Sequence, residues 1–328
     1  NGKKEKEQLS AKKKKTKTKM SSSPPSPPPR RFTSTSVTAD GVALVSLRRE
    51  PVNTMDTPFW EELLSVLDEL EGSFSSKKAE KYSDSSSLSP PRIRAAVFSS
   101  GLRRDVFTAG NDVKELYAPM TSRERYQRFW VLQNTFLARL FASPLVTVAA
   151  WRGATPAAGC CLGLACDTRI MSSGVENANA AAPHVGLNEV ALGIPVPEKW
   201  SLLLARVVGV ARAERMALFA ELLSPQQALE CGLVDAVVPD RAALDAAALA
   251  AARRALRFPD GGRVATKMRE RASFAKEWTE FAPGEALGAW EMLEHPSTVK
   301  ALGGVIERLA GKKKKSGGGG GEEARSKL

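Results

Sequence analysis

"RGATPAAGCCLGLACDTRIM", residues 152–171, decides the fold. It follows directly on "PLVTVAAW" (144–151), an apolar run that reads as a buried strand. Small residues then take over. Gly153, Ala154, Ala157, Ala158 and Gly159 let a backbone turn pack closely, and the stretch behind them opens a helix. Strand, tight turn and helix in direct succession point to an α/β fold. The first N–H groups of such a helix have no intrahelical acceptor, and its dipole favours negative charge there.

The same alternation extends outward. "GVALVSLRRE" (41–50) predicts a short strand with apolar residues on both faces. "TPFWEELLSVLDELEG" (57–72) predicts a helix with Thr57 as N-cap, Phe59, Leu63, Val66, Leu67 and Leu70 on one face, and Gly72 at the exit. "SSKKAEKYSDSSSLSPP" (75–91) reads as a loop insertion and "RIRAAVFSS" (92–100) as a strand. "DVFTAGNDVKELY" (105–117) runs from a short apolar segment through a glycine turn, and a long amphipathic helix follows, capped by Ser122 and stopped before Pro144. Beyond residue 197 the pattern turns helical, with Ser224, Gln227 and Gly232 as capping box and exit, and "LVDAVVP" (233–239) as a short strand. The expected organisation is a tail over 1–36, a core over 37–196, a helical region over 197–311 and a flexible tail over 312–328. No internal repeat is visible.

The net charge of +12 suggests nucleic acid until it is located. Residues 1–31 carry +9 and residues 312–328 carry +4, leaving −1 for the 280 residues between, so a basic nucleic-acid face on the fold is not expected. Pro/Ser-rich "SSSPPSPPPRRFTSTS" (21–36) cannot bury enough apolar surface to order itself. The chain opens on Asn1 rather than a methionine, and the segment before Met20 is given no function. Four cysteines without paired spacing predict a reducing compartment. No apolar stretch is long enough for a membrane span.

Two turns could carry chemistry. "TAGND" (108–112) and "TPAAG" (155–159) each put small residues at a strand end, and facing one another their N–H groups would form an oxyanion hole. Two tight turns packed for steric reasons are the plainer reading, and both stay open. In "HVGLNEVALGIP" (184–195), Glu189 stands alone among apolar residues and turn formers, either as an exposed loop glutamate or as a base kept partly dry. His184 and His295 lack ligand partners, so no metal site is expected. Lys267 lies in a helical basic run that reads as a solvated face, with phosphate binding as its functional alternative, and Trp200 reads as core or pocket wall.

Taken in order, "PVNTMD", "VFTAGNDVKEL", "RGATPAAGCCLGLACDTRIM", "GLNEVALGIP" and "SPQQALECGLVDAVVP" resemble the crotonase (enoyl-CoA hydratase/isomerase) superfamily over about residues 37–310, and within it the Δ3,Δ2-enoyl-CoA isomerases. The resemblance implies a spiral of ββα units followed by helices that mediate a homotrimer. It implies an acyl-CoA substrate, no cofactor beyond the coenzyme A that the substrate carries, and backbone donors at Asn111 and Ala158. Ala158 departs from the glycine usual there. Glu189 becomes the base that moves a proton from C2 to C4. Ala109, Gly110, Asp112, Val113, Gly159 and Asn188 fall where the substrate binds. A hydratase needs a second glutamate, and its position here is Cys161, while Asp112 and Glu198 read as helix-start residues. A hydratase or other acyl-CoA enzyme, and a non-catalytic acyl-CoA-binding or scaffold protein, are the alternatives. Ser326-Lys327-Leu328 matches the peroxisomal import signal, which implies an import receptor as partner and the peroxisome as location.

Overall fold

The computed structural model describes residues 30–75, 91–176 and 180–317. The expected tail up to residue 29, most of the insertion at 75–91, and Ser326-Lys327-Leu328 lie outside the described residues.

Among the described residues, eight strands and ten α-helices follow one another. β1 (Thr33–Val37) and β2 (Val42–Leu47) form a hairpin, then come α1 (Thr57–Ser75), β3 (Ala95–Ser100), α2 (Val113–Leu116), α3 (Arg123–Ala142) and β4 (Val146–Trp151). β5 (Ala154–Pro156), α4 (Ala158–Leu164), β6 (Thr168–Ser172) and β7 (His184–Gly186) lead to a 3-10 turn at Glu189–Leu192. α5 (Glu198–Val208), α6 (Val210–Leu218), α7 (Pro225–Glu230), β8 (Ala236–Val238), α8 (Arg241–Leu256), α9 (Asp260–Leu293) and α10 (Pro296–Gly317) complete the described residues. The main sheet has the order β1-β2-β3-β4-β6-β8, parallel except for the β1–β2 pair, and β5 pairs with β7 in a second sheet. This is the α/β architecture expected.

A parallel sheet buried on both faces needs apolar residues on both, and β2 supplies them. Ala43, Val45 and Leu47 join the main core with α1, α3 and α4, while Val42 joins Ala95, Val97, Val148 and Ile170 beneath Leu244, Ala248 and Ala252 of α8. The main core holds four fully buried tryptophans, Trp60, Trp151, Trp200 and Trp278. Among the described residues, no helix is long and apolar enough to cross a membrane.

Several sequence expectations need correction. Order begins before residue 37: Thr33–Val37 pairs with β2, and Glu62 accepts hydrogen bonds from the N–H groups of Phe32 and Thr33 at 3.0 and 2.7 Å. α10 runs to Gly317, past the expected start of the tail at 312. Asp56, not Thr57, caps α1 by accepting from Phe59 N–H at 3.1 Å. Thr57 N–H instead donates to Glu115 at 3.2 Å. That helix passes its expected exit at Gly72 and ends at Ser75. The Ser122 cap and the Ser224/Gln227 capping box are both formed.

Candidate active site

Peptide planarity determines where the two expected donors point. Gly110 C=O accepts from Met55 N–H at 2.9 Å, and Asp112 N–H returns a bond of 2.9 Å to Met55 C=O. In a trans peptide the carbonyl and the N–H of the next residue point in opposite directions. Asn111 N–H is therefore aimed away from Met55, and no acceptor for it is present among the described residues. The same logic holds at Ala158: Ala157 C=O accepts from Cys161 N–H at 3.0 Å, so Ala158 N–H leaves the start of α4 in the other direction, also without an acceptor.

The two turns touch. Gly110 has φ +84°, and a methyl built on it would stand 3.3 Å from Ala157 Cβ and 3.8 Å from Ala158 N. The conformation favours glycine there, and the contact leaves little room for a side chain. Ala157 has φ 52° and ψ −121°, close to the first central position of a type II′ turn, at about +60° and −120°, where glycine is usual. Its N–H is tied to Gly186 C=O at 2.8 Å. Ala158 is fully buried and its methyl belongs to the main core.

Glu189 reaches the same place through β5 and β7. Their register sets Pro156 opposite Gly186, so "AAG" and "LNE" leave adjacent strand ends together. Glu189 opens the 3-10 turn, is 4% exposed, and among the described residues neither carboxylate oxygen has a hydrogen-bond partner. Burial pushes its carboxyl up to about 7, against a weaker opposing pull from its own backbone. Cys160 and Cys161, fully buried on α4, are pushed up by burial first and by the nearby Glu189 as well. Both are neutral thiols. α10 roofs this turn: Thr298 Oγ1 donates to Gly193 C=O at 3.3 Å, and Gly193 has φ +76°. A small cavity of about 70 Å³ opens beside it, among Leu116, Tyr126, Trp130, Ile194 and Leu293.

The remaining sequence candidates divide. Asp112 caps α2 by accepting from Lys114 N–H at 3.0 Å. Ala109 and Val113 flank the Gly110–Asn111 turn, and Asn188 precedes Glu189 at the N-cap of the 3-10 turn. Gly159 packs on Thr108, whose methyl would lie 2.4 Å from an added Cβ. Glu198 starts α5, as expected. Trp200 is core: its Nε1–H donates to Asn134 Oδ1 at 2.9 Å and its ring stacks on Trp130. Lys267 is not on a solvated face. It is buried, donating to Leu145 C=O at 2.9 Å and pairing with Asp167, which Arg271 also holds. A cavity of about 1160 Å³ lined by Phe141, Leu203, Arg206, Arg254, Arg263 and Lys267 includes neither Glu189 nor Asn111 and Ala158.

Sequence reasoning missed Gln133 and Glu285. Gln133 Oε1 accepts from Asn111 Nδ2 at 2.9 Å, and Glu285 accepts from Trp130 Nε1–H at 3.0 Å and Glu198 N–H at 2.9 Å. Burial pushes the Glu285 carboxyl up. A signal for the first was present: "QN" at 133–134 interrupts the apolar face of α3, and both residues are fully buried.

A family model described as Enoyl-CoA hydratase/isomerase matches residues 87–282. The human protein named Enoyl-CoA delta isomerase 1, mitochondrial, is 30% identical over 285 residues, covering 85% of each chain. Its mouse counterpart is 29% identical, covering 86% of this chain and 90% of its own. The crystal structure of human mitochondrial delta3-delta2-enoyl-CoA isomerase superposes with a TM-score of 0.74 at 29% identity, over 86% of this chain and all of that one. An enoyl-CoA hydratase from Bacillus halodurans shares the fold, with a TM-score of 0.68 at 20% identity. With its family model matched over more than half its length, the chain belongs to the enoyl-CoA hydratase/isomerase family.

Proposed function

We propose that this chain is a Δ3,Δ2-enoyl-CoA isomerase, acting on 3-enoyl-CoA thioesters in the oxidation of unsaturated fatty acids. The observation that carries the reading is the buried carboxylate of Glu189, with both oxygens unpartnered among the described residues, beside two outward-aimed N–H groups. Ionised Glu189 removes a proton at C2, and the charge moves through the conjugated system to the thioester oxygen. Asn111 and Ala158 N–H stabilise that dienolate. The protonated carboxyl then returns the proton at C4, leaving the double bond at C2. A carboxyl near neutrality serves both half-steps, being a strong enough base for the first and acid enough for the second.

Hydration needs a second carboxylate to hold water, and the position that the resemblance gives it carries the buried, neutral thiol of Cys161. One sample assayed with both 3-enoyl-CoA and 2-enoyl-CoA decides. Double-bond migration without hydration is the expected result. Hydration alone would make the chain a hydratase, and binding without turnover a scaffold. The reading includes a homotrimer. The peroxisomal address rests on Ser326-Lys327-Leu328 alone, whereas the human and mouse relatives are named mitochondrial.

A further inference from the structure

Asn111 offers a backbone N–H to the reaction, yet its side chain is engaged as well. Trp60 Nε1 lies 3.3 Å from Asn111 Oδ1, and Asn111 Nδ2 lies 2.9 Å from Gln133 Oε1. The orientation of both amides follows from chemistry. An indole N–H can only donate, so the oxygen of Asn111 faces Trp60 and its NH₂ faces Gln133. Gln133 must then present its oxygen. The consequence is visible: Gln133 is fully buried, and among the described residues its Nε2 has no acceptor. Turning the amide over would set two donors against each other. A buried orphan donor kept in a core calls for an explanation.

We propose that Gln133 is a positioning residue for the oxyanion hole, which with Trp60 clamps the Asn111 side chain and so fixes the direction of Asn111 N–H. The clamp spans two elements that are themselves locked, since the Trp60 ring of α1 packs on Phe136 of α3 with centroids 5.5 Å apart. It adds what the backbone lacks. The Met55 bonds hold the peptide planes on both sides of Asn111, but both originate from one residue and leave a hinge about it. The side-chain clamp removes that freedom from the opposite side. Preorganised donors contribute to catalysis because they need no reorganisation as charge develops. The inference deepens the isomerase reading and rests on its donor pair, though not on the fate of the proton.

The test separates the two. The probe is saturated hexanoyl-CoA with a ¹³C thioester carbonyl, whose stretching frequency falls when the oxyanion donors polarise it, whatever reaction follows. Three variants are compared: Gln133→Met, which keeps length but has no acceptor; Asn111→Ala, which keeps the backbone N–H but has nothing to clamp; and the double variant. Each single change is expected to reduce the carbonyl shift. Each should also lower kcat about tenfold with KM within twofold, because binding is retained and transition-state stabilisation is lost. The double variant should be no worse than either single one, since all three lose the same clamp.

Trp60→Phe, which removes only the indole donor from the other end, provides the second reading should Gln133→Met fail to fold. An unchanged carbonyl shift in a folded single variant, or losses that add in the double, overturns the proposal. So does the absence of any shift in the unaltered protein. A shift that is present and clamp-dependent in a protein that does not isomerise leaves the proposal standing and overturns the isomerase reading alone.

Discussion

An unpartnered carboxyl buried at Glu189 should leave its mark on stability as well as on rate. Raised in the folded state to about 7 from an ordinary 4.5, it holds its proton more tightly folded than unfolded. Between those two values the native state binds more protons, so folding stability falls as pH rises through the window and stays low above it. Glu189→Gln removes the penalty while keeping nearly the same shape. The variant is expected to be more stable than the parent by up to roughly 3 kcal/mol at pH 8, a gain that vanishes toward pH 4, read by denaturant unfolding across pH. Isomerisation should fall by about 10²–10⁴-fold in the same protein. A variant that keeps near-parental activity removes Glu189 from the mechanism. The ionised form is the starting base, so kcat/KM of the parent should rise with pH through an apparent pKa of about 7. A profile flat from pH 5.5 to 8.5 would contradict a base held in dry surroundings.

At the scale of elements, the turn between β5 and α4 stores strain for the sake of aim. Ala157 sits at φ 52° and ψ −121°, a conformation that costs a residue with a Cβ about 1–3 kcal/mol. Ala157→Gly should hold or raise stability by up to about 1 kcal/mol, the relieved strain being partly offset by the greater chain entropy that glycine loses on folding. Ala157→Val should lower both stability and turnover, and thermal melts with a rate assay distinguish them. If Ala157→Gly is instead the destabilised variant, the turn is set by the contact with Gly110 and not by conformation. This strain was illegible in the sequence, because nothing in "PAAG" says which alanine takes the glycine-like position. Elements that pattern does specify were readable: the capped helix after Ser122, the capping box at Ser224, and β2 with apolar residues on both faces. What escaped was pairing at a distance. β1 is polar and short, and becomes a strand through β2 and Glu62, thirty residues on from Phe32. Lys267 looked solvated because its partner, Asp167, is a hundred residues away. Asp167 shows the balance directly: burial works to raise its carboxyl, but Lys267 and Arg271 together hold it below its ordinary value.

For the whole molecule, the open question is what covers its exposed apolar side chains. On α6 and just beyond it, Val210, Leu218 and Phe219 are 64%, 66% and 71% exposed, and Leu202 and Leu222 lie in the adjoining segments. A second group lines a groove between α3 and α9, where Leu287, 56% exposed, stands with Val131, Leu132 and Pro283. Exposed apolar groups concentrated in this way mark surfaces that meet a partner. A trimer closes by a heterologous contact, in which one patch of each subunit meets a different patch of the next. The two groups offer such a pair. Light scattering of the unaltered protein at micromolar concentration should give three times the monomer mass. Phe219→Asp and Leu287→Asp should each break every contact in the ring and yield folded monomers. Mixing the two variants carries the argument, because each retains the patch that the other lacks. One intact contact can then form, and the mixture should give a 1:1 dimer that cannot grow into a ring. An interface pairing the same patch on both subunits would show no such rescue, and a monodisperse monomer from the unaltered chain would leave both patches to some other partner.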